Sequence, residues 1–600
     1  MSEILDPGAK PDRGAARASL RSPARGSLVL AVLCITLHAG TAGGSAAKPI
    51  PPADLVLRGG VVVTVDAARP EAQAIAIRGY EIAAVGSNRE IDAHVGPQTR
   101  VIELGGRLAM PGFIEGHAHY MDLGESKMIL DLTRAENWDA IVAMVGAAAR
   151  QTKPGDWILG RGWHQEKWTA VPEPNVGGVP LHGRLSAASP DNPVSLEHAS
   201  GHAIFANAAA LARARITAGT PDPPGGTIVR DAEGNPTGLL REAAADLITE
   251  QIEAADAKRS PQEQAEIARR QMQLAAREAL SKGVTSFQDA GASFEEIDRY
   301  KQWAAEGALP LRLYVMVDYK ENNQTLAGRL ADYWIVPEAN GFLTVRAIKR
   351  MVDGGLGAHG AWLLAPYSDM PDSTGLVIDP PESIEETGRI ALRHGFQLAT
   401  HAIGDRANRE ILDVYARLFA AHPEQRDLRW RIEHAQHLDP ADVPRFAELG
   451  VIAAMQGVHA SSDGPWMPQR LGEPRTGRIS YVWRSLLDAG AIVTNGTDAP
   501  VEDVDPIASF YASVTRIMAS GAAFHPEQAM TRAEALRAYT LDNAYAAFEE
   551  HLKGSITPGK LADITVLSKN ILTIPEDEIP TARVVYTIVG GRIAFSRDAQ

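Results

Sequence analysis

LAMPGFIEGHAHY, residues 108–120, carries an apolar run into two histidines one residue apart, His117 and His119. On an extended strand, residues two apart project to the same face, so both imidazoles can reach one ion. Taken alone, such a pair reads equally well as two surface histidines. Its weight comes from Lys349, His401, His434 and Asp498, which stand at or near the ends of later strand-like runs.

Working outward from that stretch, eight short apolar runs end in polar residues: 107–119, GVTSFQDAG (283–291), LRLYVMVDY (311–319), VRAIKRMVDGG (345–355), FQLATHAIGD (396–405), RWRIEHAQH (429–437), VIAAMQGVH (451–459) and AIVTNGTDAPV (491–501). Helical patterns separate most of them, as in 261–283 and 383–395. This alternation predicts an α/β chain built on a (β/α)8 TIM barrel over residues 108–553, with catalytic groups at the C-terminal ends of the strands. On the sixth run Ile432 and His434 share a strand face with Trp430, which predicts an inward His434.

The interval between the first two strands, 121–275, is too long for a simple connection and holds Trp157, Trp163 and Trp168. It predicts an insertion subdomain covering the barrel mouth. Before the barrel, 53–107 is rich in strand patterns such as DLVLRGGVVVTV and AIAIRGYEIAAVG. A matching set closes the chain in KGSITPGKLADITVLSK and RVVYTIVGGRIAF, within 554–600. Neither end has enough strands for a core of its own, so the two are expected to pair into a small β-sandwich.

The first 26 residues carry Lys10, Arg13, Arg17, Arg21 and Arg25; the apolar SLVLAVLCITLHAG and the small residues up to Ala47 follow. That order predicts a signal peptide over 1–47, cleaved near Ala47, and a periplasmic or secreted protein without stable membrane insertion afterwards. The single cysteine, Cys34, would leave with it. A formal net charge of -15 argues against a nucleic-acid partner, which would call for a basic face. A small-molecule substrate is the partner expected, and a homodimer the assembly expected.

Neutral imidazoles are good zinc ligands, and four histidines from three strands with the Asp498 carboxylate can hold a divalent metal, as one or two ions. Zinc is the expected metal; manganese, iron or cobalt suit the same donors. Protonated Lys349 would be repelled by such an ion, but a buried lysine loses its proton readily, and the amine can add carbon dioxide to give a carbamate able to bridge two ions. Plain structural readings stay open beside these. His401 can cap a strand within HAIGD, His434 can pair with its neighbour Glu433, Lys349 can form a salt bridge to Asp353 or Asp498, and Asp498 can be a turn residue before Pro500.

The motifs PGFIEGHAH, SGHAIFAN, GVTSFQDAG, IKRMVDGGLG, THAIGDRAN, RIEHAQ, HASSDGPW, GTDAPVE and KGSITPGKLADITVL occur in this order over nearly all of the chain after the signal segment. In this the chain resembles the amidohydrolase superfamily, in the YtcJ-like, amidohydrolase-3 branch that includes N-substituted formamide deformylases. The resemblance implies that His117 and His119 bind the more buried ion, Lys349 is the carboxylated bridge, His401 and His434 bind the second ion, and Asp498 is ligand and proton carrier. The sequence departs from the commonest form at Glu115 and Gly116, and at Arg350 and Met351 after the lysine.

These groups predict a metal-dependent amidohydrolase, cleaving a C–N bond of an amide, formamide or cyclic amide by attack of metal-bound hydroxide, with Asp498 shuttling the proton. Deamination, or hydrolysis of an ester or lactone, is the alternative on the same scaffold, and a metal-retaining binding protein is a third reading. No G-x-S-x-G elbow offers a nucleophilic side chain. His202, Trp163 and His459 are expected to touch substrate, with His164, Asp463 and Trp466 lining the same pocket; packing within the insertion is the other reading of the tryptophans.

Overall fold

The computed structural model describes residues 50–336 and 341–597. The expected signal segment and Cys34 lie outside the described residues. Among the described residues no helix is long and apolar enough to cross a membrane.

Eight parallel strands form the central sheet: Phe113–Ala118, Val284–Ala292, Arg312–Val317, Leu343–Met351, Gln397–Ala402, Arg431–His434, Ile452–Gln456 and Val493–Gly496. They neighbour one another in chain order. Just beyond their ends the last and first strands are joined: the Asp498 N–H donates to His117 O and the His119 N–H to Ala499 O, both at 2.7 Å. Each expected run contributes one strand of this α/β (β/α)8 barrel.

Strand residues of one parity point outward and pack against the helices in one large apolar cluster that includes Phe287, Val315, Ile348, Leu398 and Ile432. Residues of the other parity fill the interior, where Ala290, Tyr314, Met316, Ala347 and Ala399 meet. Local chemistry sets the helix starts. Ser260 and Ser293 each accept from the backbone three residues on, while Glu263 and Glu296 reach back to the cap, so Pro261–Ser281 and Phe294–Ala305 begin with two donors satisfied.

The strands from the two ends of the described chain form two facing sheets. One orders Glu81–Gly86, Ala74–Arg78, Leu55–Arg58 and Arg100–Glu103; the other orders Arg592–Ser596, Val584–Val589, Ile564–Leu567, Leu108–Pro111, Val61–Val63 and Glu71–Ala72. Leu55, Leu57, Ile75 and Ile77 meet Val62, Ile564, Val566 and Ile588 between them. Leu108–Pro111 pairs with Val61–Val63 on one side and Ile564–Leu567 on the other, so it joins strands from the two ends of the chain. The sequence reading placed 108 at the start of the barrel. LAMP instead belongs to the sandwich, and the barrel starts at Phe113.

The insertion is a six-stranded sheet running from Leu130–Asp131 to Pro236–Glu242 and its hairpin partner Gly226–Arg230. One apolar cluster contains Trp138, Leu196 and Phe205, and another contains Ile204, Leu211 and Leu240. The expected range 121–275 overruns this unit. The helix Pro261–Ser281 lays Ala268, Met272, Ala275 and Ala279 into the barrel's own core.

Candidate metal centre

Glu115, His117 and His119 continue one strand face. Phe113–Ala118 ends just before His119, whose extended backbone (φ -113, ψ 103) keeps the alternation running one step further. Gly116 stands between them because a Cβ there would lie 2.5 Å from Asn495 O and 2.3 Å from Asn543 Oδ1. Glu115, the departure noted in the motif, accepts the Thr497 N–H at 2.6 Å and its hydroxyl at 3.1 Å, so it fastens the first strand to the turn that presents Asp498.

Asp498 follows the eighth strand in a left-handed conformation (φ 57). Its Oδ1 lies 3.3 Å from His119 Nε2 and 3.5 Å from His117 Nε2, and its Oδ2 lies 3.7 Å from His459 Nε2. Lys349, buried on the fourth strand, brings its Nζ to 3.5 Å from His117 Nε2. Salt bridges from Lys349 to Asp353 or Asp498 do not form among the described residues. Asp353 is engaged elsewhere, accepting the N–H groups of Ile403, Gly404 and Trp362 at 2.8–3.0 Å.

Strand parity does not account for the position of His434. Trp430 packs outward on Tyr415 and Phe419 of the helix Asp405–Ala421, and Arg431 and Glu433 are the residues that point inward. His434 nevertheless reaches the centre, with its ring 4.7 Å from that of His117, because its own backbone is left-handed (φ 71) and breaks the alternation. His401 lies on the other side of it, rings 4.5 Å apart, with its Nε2 3.6 Å from Asp353 Oδ1. That nitrogen is buried and makes no hydrogen bond among the described residues.

A second layer orients these rings. Glu433 does not pair with its neighbour His434; its carboxylate takes the Nδ1 of His117. Arg431 grips the same carboxylate from Nε at 2.6 Å and Nη2 at 2.9 Å, and donates also to Gly116 O and to Gln288 Oε1. His434 Nδ1 donates to Gln456 Oε1 at 2.8 Å. A carboxylate or carbonyl oxygen on one ring nitrogen fixes the tautomer and leaves the other nitrogen's lone pair for a cation. The sequence offers Glu433 only as a partner of His434 and does not point to Gln456 or Glu242. Only Glu433 carried a signal, being on one strand face with Arg431.

Burial, reinforced by Lys349, pushes the His117 imidazolium down to about 4. Burial likewise holds His401 and His434 well below the ordinary histidine value. All three rings are therefore neutral at pH 7, the form that binds a metal. Burial lowers the Lys349 ammonium too, while Glu433 and Asp498 oppose it. At Asp498 burial acts to raise the carboxyl, but His119 and His459 beside it hold it well below the usual carboxylate range. Neutral imidazoles, one buried carboxylate and an unpartnered imidazole nitrogen make a donor set that fits a divalent cation. His117, His119 and Asp498 offer atoms all within 4.8 Å of one another.

Above these groups a cavity is lined by His164, His202, His459, Asp463, Trp466 and Asp498, among others. His202 enters it from the insertion, held by a 2.9 Å hydrogen bond from Nδ1 to Glu242 Oε2, with its ring 5.4 Å from that of His401. Trp163 does not line it. Its indole is buried in the insertion, donates to Leu196 O at 2.8 Å, and packs against Trp168 and Phe205. The expectation of a substrate contact at Trp163 is corrected accordingly: an indole whose N–H and faces are all taken is core.

Comparison with known proteins gives consistent relatives. Residues 100–595 match the Amidohydrolase family. The chain is 34% identical to Protein LONG AFTER FAR-RED 3 of Arabidopsis thaliana, over 90% of this chain and 91% of that protein. It is 29% identical to the Putative amidohydrolase YtcJ of Bacillus subtilis (90% and 99% covered) and to the N-substituted formamide deformylase of Arthrobacter pascens (91% and 98%). Among solved structures, an uncharacterized metal-dependent hydrolase from Pyrococcus horikoshii superposes with TM-score 0.68 at 24% identity, over 87% of this chain and 99% of that one. It supports the fold.

Proposed function

Taking as premise that the chain belongs to the amidohydrolase family and is a metal-dependent hydrolase, we propose that it cleaves a C–N bond in an amide, formamide or cyclic amide, at a centre served by His117, His119, Lys349, His401, His434 and Asp498. One observation carries the reading: Asp498 Oδ1 faces both His117 and His119 at the open end of the barrel, at 3.5 and 3.3 Å.

A divalent ion, zinc by the donor set, would supply an activated water and polarise the carbonyl under attack. The chain's own groups do the rest. Glu433 and Gln456 hold His117 and His434 in one tautomer. Asp498, held ionised by its two histidines, is placed to take a proton from water and return it to the leaving nitrogen, a role worth roughly 10²- to 10⁴-fold. Lys349, its ammonium destabilised by burial, is suited to add carbon dioxide, losing one proton as the N–C bond forms and leaving a carboxylate beside His117. His202 and His459 line the cavity and would contact substrate. The substrate class is favoured by likeness to a protein named as an N-substituted formamide deformylase. The basic, apolar and small-residue order of 1–47 supports export to the periplasm or beyond.

Elemental analysis of protein purified without added metal tests the centre, with an expected one to two equivalents of a transition metal. A chelator should abolish turnover of N-formyl amines, N-acyl amino acids and cyclic amides, and metal should restore it. Release of carboxylate and free amine supports the C–N reading. Release of ammonia from an amino-substituted ring, or activity confined to esters and lactones, would replace it, and metal-free protein with unchanged turnover would overturn the metal.

A further inference from the structure

The cavity above the metal centre carries charge that the chemistry at the metal does not use. Besides its histidines and Asp498, the charged residues lining it are Lys167, Asp463 and Glu502. Asp463 is already engaged: the Tyr481 hydroxyl donates to its Oδ2 at 2.8 Å and the Gln436 amide to the same oxygen at 3.5 Å. Lys167 and Glu502 make no side-chain hydrogen bond or ion pair among the described residues, either with each other or with a neighbour. We propose that these two groups select the substrate, an amide whose far end bears both a carboxylate, held by Lys167, and an ammonium, held by Glu502. An amino acid acylated on its side-chain nitrogen, with its α-amino and α-carboxyl groups free, has this form. The inference rests on the C–N hydrolase reading above and names the substrate class of that site.

Each charge is left over by a turn that uses its other polar groups. Lys167 closes the short turn Gln165–Lys167 in the insertion. His164 Nδ1 accepts the Glu166 N–H at 3.3 Å, Gln165 Oε1 accepts from His198 Nε2 at 3.1 Å, and the Glu166 carboxylate accepts from Arg470 at 2.9 Å. Only the Lys167 ammonium in this turn has no partner among the described residues. Glu502 stands in the loop after the eighth barrel strand. Asp503 and Asp505 beside it both hold Lys282 Nζ at 3.0 Å, and Asp505 also caps the helix Pro506–Thr515 through the N–H groups of Ile507 and Ala508. The Glu502 carboxylate is drawn into neither arrangement.

One charge thus comes from the cover and the other from the barrel, and both face the same cavity. Unpaired, they keep their water. A ligand that displaces that water without offering charge strands both groups, a ligand with one charge strands one, and a ligand with both satisfies the pair, so complementary charges are the means by which such a site discriminates. Hydrolysis balances without either residue: water gives its hydroxyl to the acyl carbon and a proton to the nitrogen as the C–N bond breaks, releasing a carboxylic acid and the amino acid with its side-chain amine free.

The test uses the metal-loaded protein with Nε-formyl-lysine and Nε-acetyl-lysine, each beside analogues lacking the α-amino group, the α-carboxylate, or both. kcat/KM should be highest for the parent compounds and fall about tenfold for each charge removed. Lys167→Met should erase the preference tied to the carboxylate and keep the one tied to the ammonium, and Glu502→Gln should do the reverse, with the losses mainly in KM. A damaged fold would lower all the substrates alike and would not give this crossed pattern. Equal kcat/KM across each series, or variants that shift both preferences together, would overturn the proposal and leave the C–N reading standing. No release of amine from any of these compounds, with ester or lactone turnover present, would overturn both.

Discussion

The barrel rim and the insertion draw on the same residue types and put them to opposite uses. At the rim, His117, His401 and His434 are buried with ring centroids 4.5–4.7 Å apart along the row, His117 Nε2 lies 3.5 Å from Asp498 Oδ1, and His401 Nε2 is left without a hydrogen bond among the described residues. In the insertion, Trp163 packs edge-on against His198 at 4.7 Å, and His198 is spent on Ser200 and Gln165. The first arrangement leaves ligand atoms free beside a buried carboxylate, whereas Trp163 and His198 spend their polar atoms on partners within the insertion and bury their faces. Residue identity is thus a weaker guide to role than whether the fold leaves a polar atom free where a ligand can reach it.

The contrast is broken most severely at the rim. His117→Ala with His119→Ala removes the two imidazoles that face Asp498 Oδ1 and should leave nearly no bound metal, with kcat/KM falling by about 10⁴-fold or more, equivalent to roughly 5.5 kcal/mol of transition-state stabilisation. Metal content and turnover measured on the same preparation check it, and a double variant that keeps its metal would remove His117 and His119 from the centre. Next in size, Trp163→Ala should cost about 3–5 kcal/mol of stability by emptying part of the insertion's core. Its kcat/KM per folded molecule should stay close to wild type; a drop in kcat/KM with an unchanged denaturation midpoint would return Trp163 to the pocket wall.

Smaller than either is the effect expected in the second layer. Glu433→Gln keeps a side chain of the same shape on His117 Nδ1 but removes the charge that Arg431 and His117 share, and should weaken metal affinity by about 10- to 100-fold. Competition with a chelator of known affinity reads this directly. Unchanged affinity would mean that the Glu433–Arg431 pair only braces the barrel interior.

Legibility in the sequence follows the same division. The eight strands were readable because short apolar runs separated by helical periodicity have few other solutions, and His117 and His119 were readable because strand parity fixes two side chains at once. His434 lies beside His117 for a reason other than strand parity, since the left-handed backbone that turns it inward leaves no trace in RIEH. Glu242 was invisible, because it lies at the end of an insertion strand, Pro236–Glu242, and meets His202 only through tertiary packing. Trp163 misled, since an aromatic cluster in a covering segment looks the same in sequence whether it faces a cavity or its own core. The 108 boundary slipped because LAMPGFIEGHAH reads as one continuous run, and the chain passes from sandwich to barrel at Gly112 without a change in apolar pattern.

The smallest effect sharpens where the insertion stops. If the helix Pro261–Ser281 is a barrel element, weakening its start should loosen the barrel and leave the insertion sheet alone. Ser260 is the lever: its Oγ accepts the Glu263 N–H at 3.3 Å, and its N–H and hydroxyl donate to the Glu263 carboxylate at 2.9 and 2.7 Å. Ser260→Ala removes the side-chain half of this box, which costs about 1 kcal/mol at an exposed cap. Hydrogen–deuterium exchange should then rise in 261–281 and in the adjoining strand Val284–Ala292 by about fivefold, the equivalent of that energy, with Val194–His198 and Ala203–Ala206 unchanged. Faster exchange confined to the insertion strands would show that the helix is coupled to the cover and that the expected boundary at 275 was the physical one.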